Sequence, residues 1–111
     1  MSSESDLQRT IMQLLSTSPR VAFVRRLNSG KVRTAGGSYV TLGVEGDPDI
    51  IGMMYGRGRM FAIELKREGA KSHEHRTRQE LQKQRLKEIS DGGGLAFIAQ
   101  SVDDVIRGLG L

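Results

Sequence analysis

Residues 46–66 read GDPDIIGMMYGRGRMFAIELK, two apolar segments separated by a glycine-rich break. These segments predict two antiparallel strands joined by a tight hairpin, because Gly56-Arg57 suits a two-residue loop whose glycine supplies the positive φ of a type II′ turn. That loop sets Asp49 directly opposite Glu64, and directly paired side chains share one face with Cβ atoms about 5 Å apart. Lys66 projects from the same face. The stretch therefore predicts two carboxylates and an ammonium group that can hold a divalent cation and activate a water.

The pairing of the two acids depends on the turn. A three-residue loop over 56–58 would place Asp49 opposite Leu65, on the other face unless a bulge corrected it. We favour the first register on chemical grounds, because two neighbouring acids without a cation between them would repel each other. A glutamate on a strand that is apolar on both faces is costly to bury unless it is paired or coordinated. An ion pair of Lys66 with either acid explains only one of them, whereas metal binding accounts for all three groups.

Length and composition limit the chain to one domain over residues 1–111 and to one core. Hydrophobic residues make up 37% and charged residues 27%, which is typical of a soluble globular domain. The absence of cysteine excludes disulfides and thiolate zinc sites and favours a cytoplasmic location. No signal-peptide pattern or long apolar run points to export or to a membrane partner. The net charge of +4 favours an anionic partner.

The hydrophobic periodicity predicts an α/β fold with a mixed sheet and helices on both of its faces, because helices and strands alternate along the chain. The first helix has a capping box that begins at Ser3, and the last helix has one that begins at Ser101. The predicted elements are a helix over Glu4–Ser16, strands over Val21–Leu27 and Tyr39–Leu42, the two central strands, a helix over Thr77–Asp91 ended by Gly92-Gly93-Gly94, a strand over Leu95–Ala99 and a final helix.

Two further polar residues lie on the apolar sides of predicted helices. Glu4 lies on the same apolar stripe as Ile11. Spacing alone supports the interpretation that this acid in the first turn interacts favourably with the helix dipole. The alternative is that its carboxylate points towards the metal. Gln82 shares a helix face with Leu86. A glutamine there is more often a boundary residue than a functional one, but its place beside the predicted site favours a function. Gln79, one turn earlier, is the second candidate.

Basic residues in and around these elements predict contacts with nucleic acid. Residues 30–46 are interpreted as a basic flap over the site, although an ordinary surface loop fits equally well. His73-Glu74-His75 does not predict a zinc site, because histidines at i and i+2 point apart and no third ligand follows. The candidate nucleic-acid-binding residues are Arg25, Arg26, Asn28, Lys31, Arg33, Lys71, Arg76 and Arg78. Asn28 has the alternative of satisfying its own turn.

Gly46-Asp47-Pro48-Asp49, followed by Glu64-Leu65-Lys66, resembles the motif of the PD-(D/E)XK nuclease superfamily. Within it the chain resembles a small stand-alone VRR-NUC domain of the kind found in phage and bacterial genomes. The resemblance covers nearly the whole length. Its further features are the early acid, Asn28-Ser29-Gly30, the helical glutamine, and Gly93-Gly94 before a strand and a closing Ser-Val-Asp-Asp element.

The resemblance implies a restriction-endonuclease-like core and a metal-dependent DNA endonuclease. It implies Mg²⁺ or Mn²⁺ held by Asp49, Glu64 and the Leu65 carbonyl, since hard cations prefer oxygen ligands. Lys66 would orient or help deprotonate the attacking water, with Gln82 positioning Lys66 or that water, and Glu4 would reach the ion directly or through water. Relatives resembling Holliday junction resolvases imply a homodimer that cuts branched DNA such as four-way junctions or flaps. The alternatives are a non-catalytic DNA-binding domain of this fold and a phage interaction module.

Overall fold

The secondary structure follows the predicted order with one added strand. A computed structural model describes residues 4–27, 30–66 and 76–111, and no helix within them is long and apolar enough to cross a membrane. The elements are α1 (Glu4–Thr17), β1 (Val21–Arg26), β2 (Gly30–Arg33), β3 (Tyr39–Leu42), β4 (Ile50–Met54), β5 (Met60–Leu65), α2 (Arg76–Asp91), β6 (Leu95–Ala99) and α3 (Val102–Leu109).

The main sheet has four strands in the order β1-β4-β5-β6. β4 pairs with β1 and with β5 in antiparallel fashion, whereas β5 and β6 are parallel, so the predicted mixed sheet is confirmed. β5 is an inner strand, and every residue from Phe61 to Leu65 is buried. A strand apolar along nearly its whole length is typical of a position covered on both sides.

Helices cover both faces of this sheet. Ile63 and Leu65 share one face and belong to a core cluster with Ile11 of α1 and Val105 of α3. We call this the α1/α3 face. Ala62 is fully buried but points the other way, along with Glu64, and α2 packs on β5 and β6. The side of the sheet that bears Ala62 and Glu64 is therefore the α2 face.

The register of the β4–β5 hairpin agrees with the prediction from the two-residue loop. Ile50 pairs with Ile63, and the same register continued by one residue sets Asp49 opposite Glu64. Gly56 has the expected positive φ, 108°. Gly58 is also positive, at 68°, and the loop outside the strands is wider than an ideal two-residue turn. The alternative register, with Asp49 opposite Leu65, is not the one that forms.

The helix ends follow the predicted local chemistry. Ser101 Oγ accepts a hydrogen bond from Asp104 N at 3.2 Å and caps α3. Gln100 N donates to the Asp104 carboxylate at 2.8 Å and, together with Arg107, lowers the pKa of that group below its usual value. Gly93 ends α2 with a φ of 103°. The predicted cap at Ser3 lies outside the described residues.

Residues 30–42 form a separate two-stranded ribbon, β2–β3. The predicted strand Tyr39–Leu42 is confirmed as β3. The sequence predicts no strand over Gly30–Arg33, and this is wrong, because β2 forms there. Val32 pairs with Val40 and Arg33 pairs with Tyr39. Glycine and threonine around these residues weaken the strand pattern, so the pairing is evident only from the structure.

Candidate active site

Asp49 lies between two strands at one end of the main sheet. Its backbone oxygen accepts a hydrogen bond from Leu27 N at 2.8 Å, which continues the β1–β4 pairing. Its side-chain Oδ2 accepts a hydrogen bond from Leu65 N, also at 2.8 Å. This bond satisfies a backbone donor at the end of the β4–β5 ladder and turns the Asp49 carboxylate towards β5. It uses one of the two carboxylate oxygens.

Glu64 is the second acid of the site, and only 4% of its surface is exposed. It occupies the α2 face of β5, opposite Asp49 in the continued register. Cβ atoms at such paired positions are about 5 Å apart, within the reach of two carboxylates that share one cation. A carboxylate this deeply buried is costly unless its charge is compensated. The structure thus brings the two predicted acids together.

Lys66 follows β5 and is half-buried. Lys66 N donates to Ala99 O at 2.9 Å, which keeps the residue aligned with β6 and its side chain on the face of Glu64. Within residues 4–27, 30–66 and 76–111, Lys66 forms no ion pair with Asp49 or Glu64. The ion-pair alternative that the sequence allowed is therefore not formed, and the ammonium group stays a candidate for contact with a ligand.

Gln82 lies on α2, the helix that packs on β5 and β6, and is buried. It is 6% exposed, and its Oε1 is buried without a hydrogen-bond partner among the residues that the structure describes. A buried acceptor left without a donor costs about 1–3 kcal/mol. The Gln82 amide oxygen therefore suits a donor or cation that binds there. Gln79 is less buried and already makes another interaction, which favours Gln82 of the two glutamines.

The loop before β4 is fixed against α2 close to Gln82. Gly46 has a φ of 93°, and a Cβ at this position would lie only 2.9 Å from Leu81 Cβ. Asp47 Oδ1 lies 4.0 Å from Arg85 Nε. Both contacts join the Gly-Asp-Pro-Asp segment to the helix that carries Gln82. Sequence reasoning missed Arg85, although its position three residues after the inward-facing Gln82 was a signal.

The candidate DNA-binding arginines are divided between the two faces. Arg25 lies on the α2 face because it pairs with Ile51, and its guanidinium carbon is 5.9 Å from the exposed ring of Phe23. Arg26 lies on the α1/α3 face, where it donates to Gln8 Oε1 at 3.5 Å. Arg78 is half-buried one turn before Gln82 on α2.

Not every predicted site residue joins this cluster. Arg33 lies on the ribbon, Asn28 and Lys71 lie outside the described residues, and so do the side chains of Lys31 and Arg76. The segment His73-Glu74-His75 is also outside them. Glu4 is exposed at the start of α1, which covers the opposite face. Among the described residues, no group of three or more histidine or acidic side chains is placed to hold a metal ion, so Glu4 is not grouped with the two site acids.

No protein-family model matches the chain, and no curated protein is significantly similar to it. The assignment of function therefore rests on the site. The oxygen atoms that could coordinate a cation come from two carboxylates and from the backbone carbonyl of Leu65. The amide oxygen of Gln82, which has no hydrogen-bond partner among the described residues, lies on the same face. Oxygen donors of this kind suit hard divalent cations such as Mg²⁺ and Mn²⁺.

Proposed function

We propose that this protein is a metal-dependent, structure-selective DNA endonuclease that hydrolyses phosphodiester bonds in branched DNA and acts as a homodimer. The observation that supports it most is the register that sets Asp49 opposite Glu64 on the α2 face, with Lys66 on the same face and Gln82 buried on the helix that covers it. The mixed sheet with helices on both faces agrees with a PD-(D/E)XK core of the VRR-NUC type. Such an enzyme works in the cytoplasm, where its DNA is found.

In this proposal Asp49, Glu64 and the carbonyl of Leu65 hold one or more Mg²⁺ or Mn²⁺ ions. Leu65 N donates to Asp49, and the N–H and C=O groups of a strand residue point to the same neighbouring strand, so the Leu65 carbonyl belongs to the Asp49 side. A bound divalent ion supplies charge neutralisation at the phosphate and a more acidic water. Glu4 is exposed at the start of α1, which covers the opposite face, so it is left out of this ligand set.

Lys66 orients the attacking water and stabilises negative charge as it builds up on the phosphate. Because Lys66 is held by no ion pair to either acid in the described part of the chain, its ammonium group is available for this role. The Gln82 oxygen accepts a hydrogen bond from the Lys66 ammonium group or from the water. This bond would satisfy the buried acceptor and fix the direction of the lysine side chain.

DNA approaches the part of the α2 face that α2 leaves uncovered. On β1, at one edge of the sheet, Phe23 is exposed with Arg25 over its ring. On the same face, α2 packs on β5 and β6, towards the opposite edge. Arg25 lies on this face, Arg78 lies one turn before Gln82 on α2, and the chain carries a net charge of +4. Positive groups around a carboxylate cluster allow a polyanion to reach a negatively charged site.

The proposal is tested by incubating the protein with single-stranded, duplex, flap and four-way DNAs in Mg²⁺, Mn²⁺ or EDTA. We expect cleavage of branched DNA with either metal and none with EDTA. Glu64→Gln, which keeps the shape of the buried side chain, abolishes cleavage, while Glu88→Gln on the exposed side of α2 leaves it unchanged. Absence of cleavage from every DNA with both metals contradicts the proposal.

A second candidate function is a non-catalytic DNA-binding domain of the same fold. The hydrogen bond from Leu65 N to Asp49 favours it, because this bond alone gives Asp49 a structural reason to be present. Salt-sensitive DNA binding without cleavage under any metal would support this candidate. A chain without any salt-sensitive DNA affinity would instead be an interaction module.

A further inference from the structure

The β2–β3 ribbon is a preformed hairpin. Thr34 N donates to Ser38 O at 2.7 Å, and Gly37 N donates to Thr34 O at 3.0 Å. Gly37 has a φ of 86°, the left-handed conformation that closes a three-residue hairpin loop. The tip is therefore held by its own backbone.

This ribbon is not part of the main sheet, and no helix or strand within the described ranges packs along it. Tyr39 is 68% exposed, and Val32 and Val40 are exposed as well. A two-stranded hairpin that packs against no third strand or helix is only marginally stable in water. These side chains are thus displayed for contact with a partner.

The two faces of the ribbon differ in chemistry. Arg33 and Tyr39 are directly paired, so the guanidinium group and the phenol ring project from one face, about 5 Å apart at Cβ. Val32 and Val40, the next pair, project from the other face. A ring beside a cation suits a nucleotide, because the ring stacks on a base and the guanidinium group binds phosphate. Charge and ring together favour nucleic acid over an apolar protein surface on the Arg33–Tyr39 face.

The chain leaves the main sheet for the ribbon, and returns to it, at the end of the sheet that carries the acids. Leu27 N, after β1, donates to Asp49 O, just before β4, so the residues on either side of the segment that contains the ribbon are hydrogen-bonded neighbours. Strands of four residues extend about 13 Å at roughly 3.3 Å per residue. The Arg33–Tyr39 face therefore lies within a few nucleotides of a phosphate held at Asp49 and Glu64.

We propose that the Arg33–Tyr39 face binds an unpaired nucleotide of the DNA, with Tyr39 stacked on the base and Arg33 on a phosphate. This inference rests on the proposed nuclease function and names its substrate class as DNA with single-stranded nucleotides next to the cleaved strand. A base within a perfect duplex is already stacked on both sides, whereas an unpaired base offers a free π face. Tyr39 thereby distinguishes a flap from a duplex.

The test measures DNA affinity in EDTA, so that cleavage does not enter the result. Tyr39→Ala weakens binding to a single-stranded flap about 10-fold or more and leaves binding to a perfect duplex nearly unchanged. Tyr39→Phe, which keeps the ring, retains the affinity for the flap. Tyr55→Ala is the matched control, because Tyr55 is equally exposed, at 67%, but lies at the hairpin tip of β4–β5, at the far end of the sheet. The affinity of Tyr55→Ala for the flap stays at the wild-type level.

A second readout uses the tyrosine emission of the protein. The chain contains two tyrosines and no tryptophan, so Tyr55→Phe leaves Tyr39 as the one tyrosine. Stacking on a base quenches tyrosine fluorescence, and flap DNA is expected to quench this variant strongly. Flap DNA is expected to leave the emission of Tyr39→Phe, which reports on Tyr55, largely unchanged.

Each contrary result has a distinct meaning. Wild-type affinity of Tyr39→Ala for the flap overturns the ribbon proposal, even when metal-dependent cleavage persists. Loss of self-association in Tyr39→Ala, measured by light scattering without DNA, overturns it in favour of a protein contact. Failure of the wild-type protein to bind any DNA at low salt overturns the DNA partner itself, and with it the proposed function.

Discussion

At the scale of single residues, Asp49 combines a structural contact with its proposed chemical role. Its carboxylate accepts the Leu65 amide and also faces Glu64. Asp49→Asn keeps an oxygen acceptor and removes the charge, so we expect near wild-type stability with loss of metal binding. Asp49→Ala loses both, and its unfolding free energy falls by about 1–3 kcal/mol. Chemical denaturation and Mn²⁺ calorimetry measure the two effects.

The result for Asp49→Asn separates the two roles. Unchanged heat of Mn²⁺ binding in Asp49→Asn would show that Asp49 is no ligand. Equal stability of the Asn and Ala variants would show that the bond to Leu65 contributes little. Either result leaves the other role intact.

Lys66→Ala is expected to remove catalysis and keep the metal. The ammonium group is not a ligand, so Mn²⁺ binding by calorimetry stays close to wild type, whereas the cleavage rate falls about 100-fold or more. Lys87→Ala on the exposed side of α2 serves as the control for loss of one positive charge. Loss of metal affinity together with the lysine would contradict the assigned role.

Residue-level features that depend on backbone counting were predictable from the sequence. The pairing of Asp49 with Glu64 follows from the hairpin loop, and the side of β5 that carries Lys66 follows from strand alternation. The bond of Asp49 to Leu65 N depends on a side-chain rotamer at a strand end. The ion pair of Asp47 with Arg85 depends on how α2 docks. The helical spacing of Arg85 from Gln82 indicates the side of α2 on which Arg85 lies, but it does not indicate Asp47 as the partner.

At the scale of elements, the contact between the loop before β4 and α2 positions the site. Gly46→Ala forces a Cβ against Leu81 and strains a φ of 93°. We expect a loss of unfolding free energy about 1–3 kcal/mol larger than that of Gly56→Ala, together with reduced cleavage. Gly56 has a φ of 108°, and a Cβ there would contact no other described residue, so Gly56→Ala reports the backbone strain alone.

Thermal unfolding and cleavage assays on both glycine variants check this expectation. Equal stability and activity of Gly46→Ala and Gly56→Ala would show that the loop tolerates displacement from α2. The comparison is informative because both glycines have positive φ and, of the two, Gly46 is the one that lies against a helix.

The start of α3 predicts a pH dependence of stability. The pKa of Asp104 is lowered by the hydrogen bond from Gln100 N and by Arg107, so the charged carboxylate favours the folded state. This contribution is complete above the pKa of the unfolded chain, about 3.9, and disappears as the pH falls through the lowered folded-state pKa. Asp104→Asn should therefore lower the unfolding temperature at pH 7, with a difference that vanishes in acid.

Asp103→Asn is the control for this pH dependence, because it removes the same charge from the same helical turn and leaves the Gln100 bond in place. Thermal melts between about pH 2 and 7, a range that spans the ordinary carboxyl pKa, measure both variants. An Asp104→Asn difference that is independent of pH would contradict the electrostatic explanation.

Element types were predictable wherever the apolar period was strong. The three helices, the two central strands and β6 follow from such patterns, and the glycine and serine caps mark the helix ends. β2 was not predicted, because Gly30–Arg33 is short and has one apolar side chain. Its partner β3 supplies the second half of that pattern only after the chain has turned at Gly37.

At the scale of the whole molecule, the position of Arg25 on the α2 face predicts how the proposed DNA binding depends on salt. Each phosphate contact contributes a slope of about 0.9 to the fall of log K with log salt for duplex DNA. Arg25→Ala should reduce that slope by about 1, whereas Arg57→Ala, in the hairpin loop at the far end of the sheet, should not change it. Binding titrations between low and physiological salt measure both, and equal slopes would remove Arg25 from the interface.

In the sequence, the ribbon lies between β1 and β4, which are paired neighbours in the main sheet, and it does not contribute to their pairing. Residues can therefore be added to or removed from its tip without shifting Asp49 against Glu64. If the ribbon binds DNA as proposed, natural variation there would alter which nucleic acid is bound, while Asp49 and Glu64 keep their spacing. Grafting the ribbon of one such protein onto the sheet of another would then exchange the proposed recognition without rebuilding the proposed catalytic site.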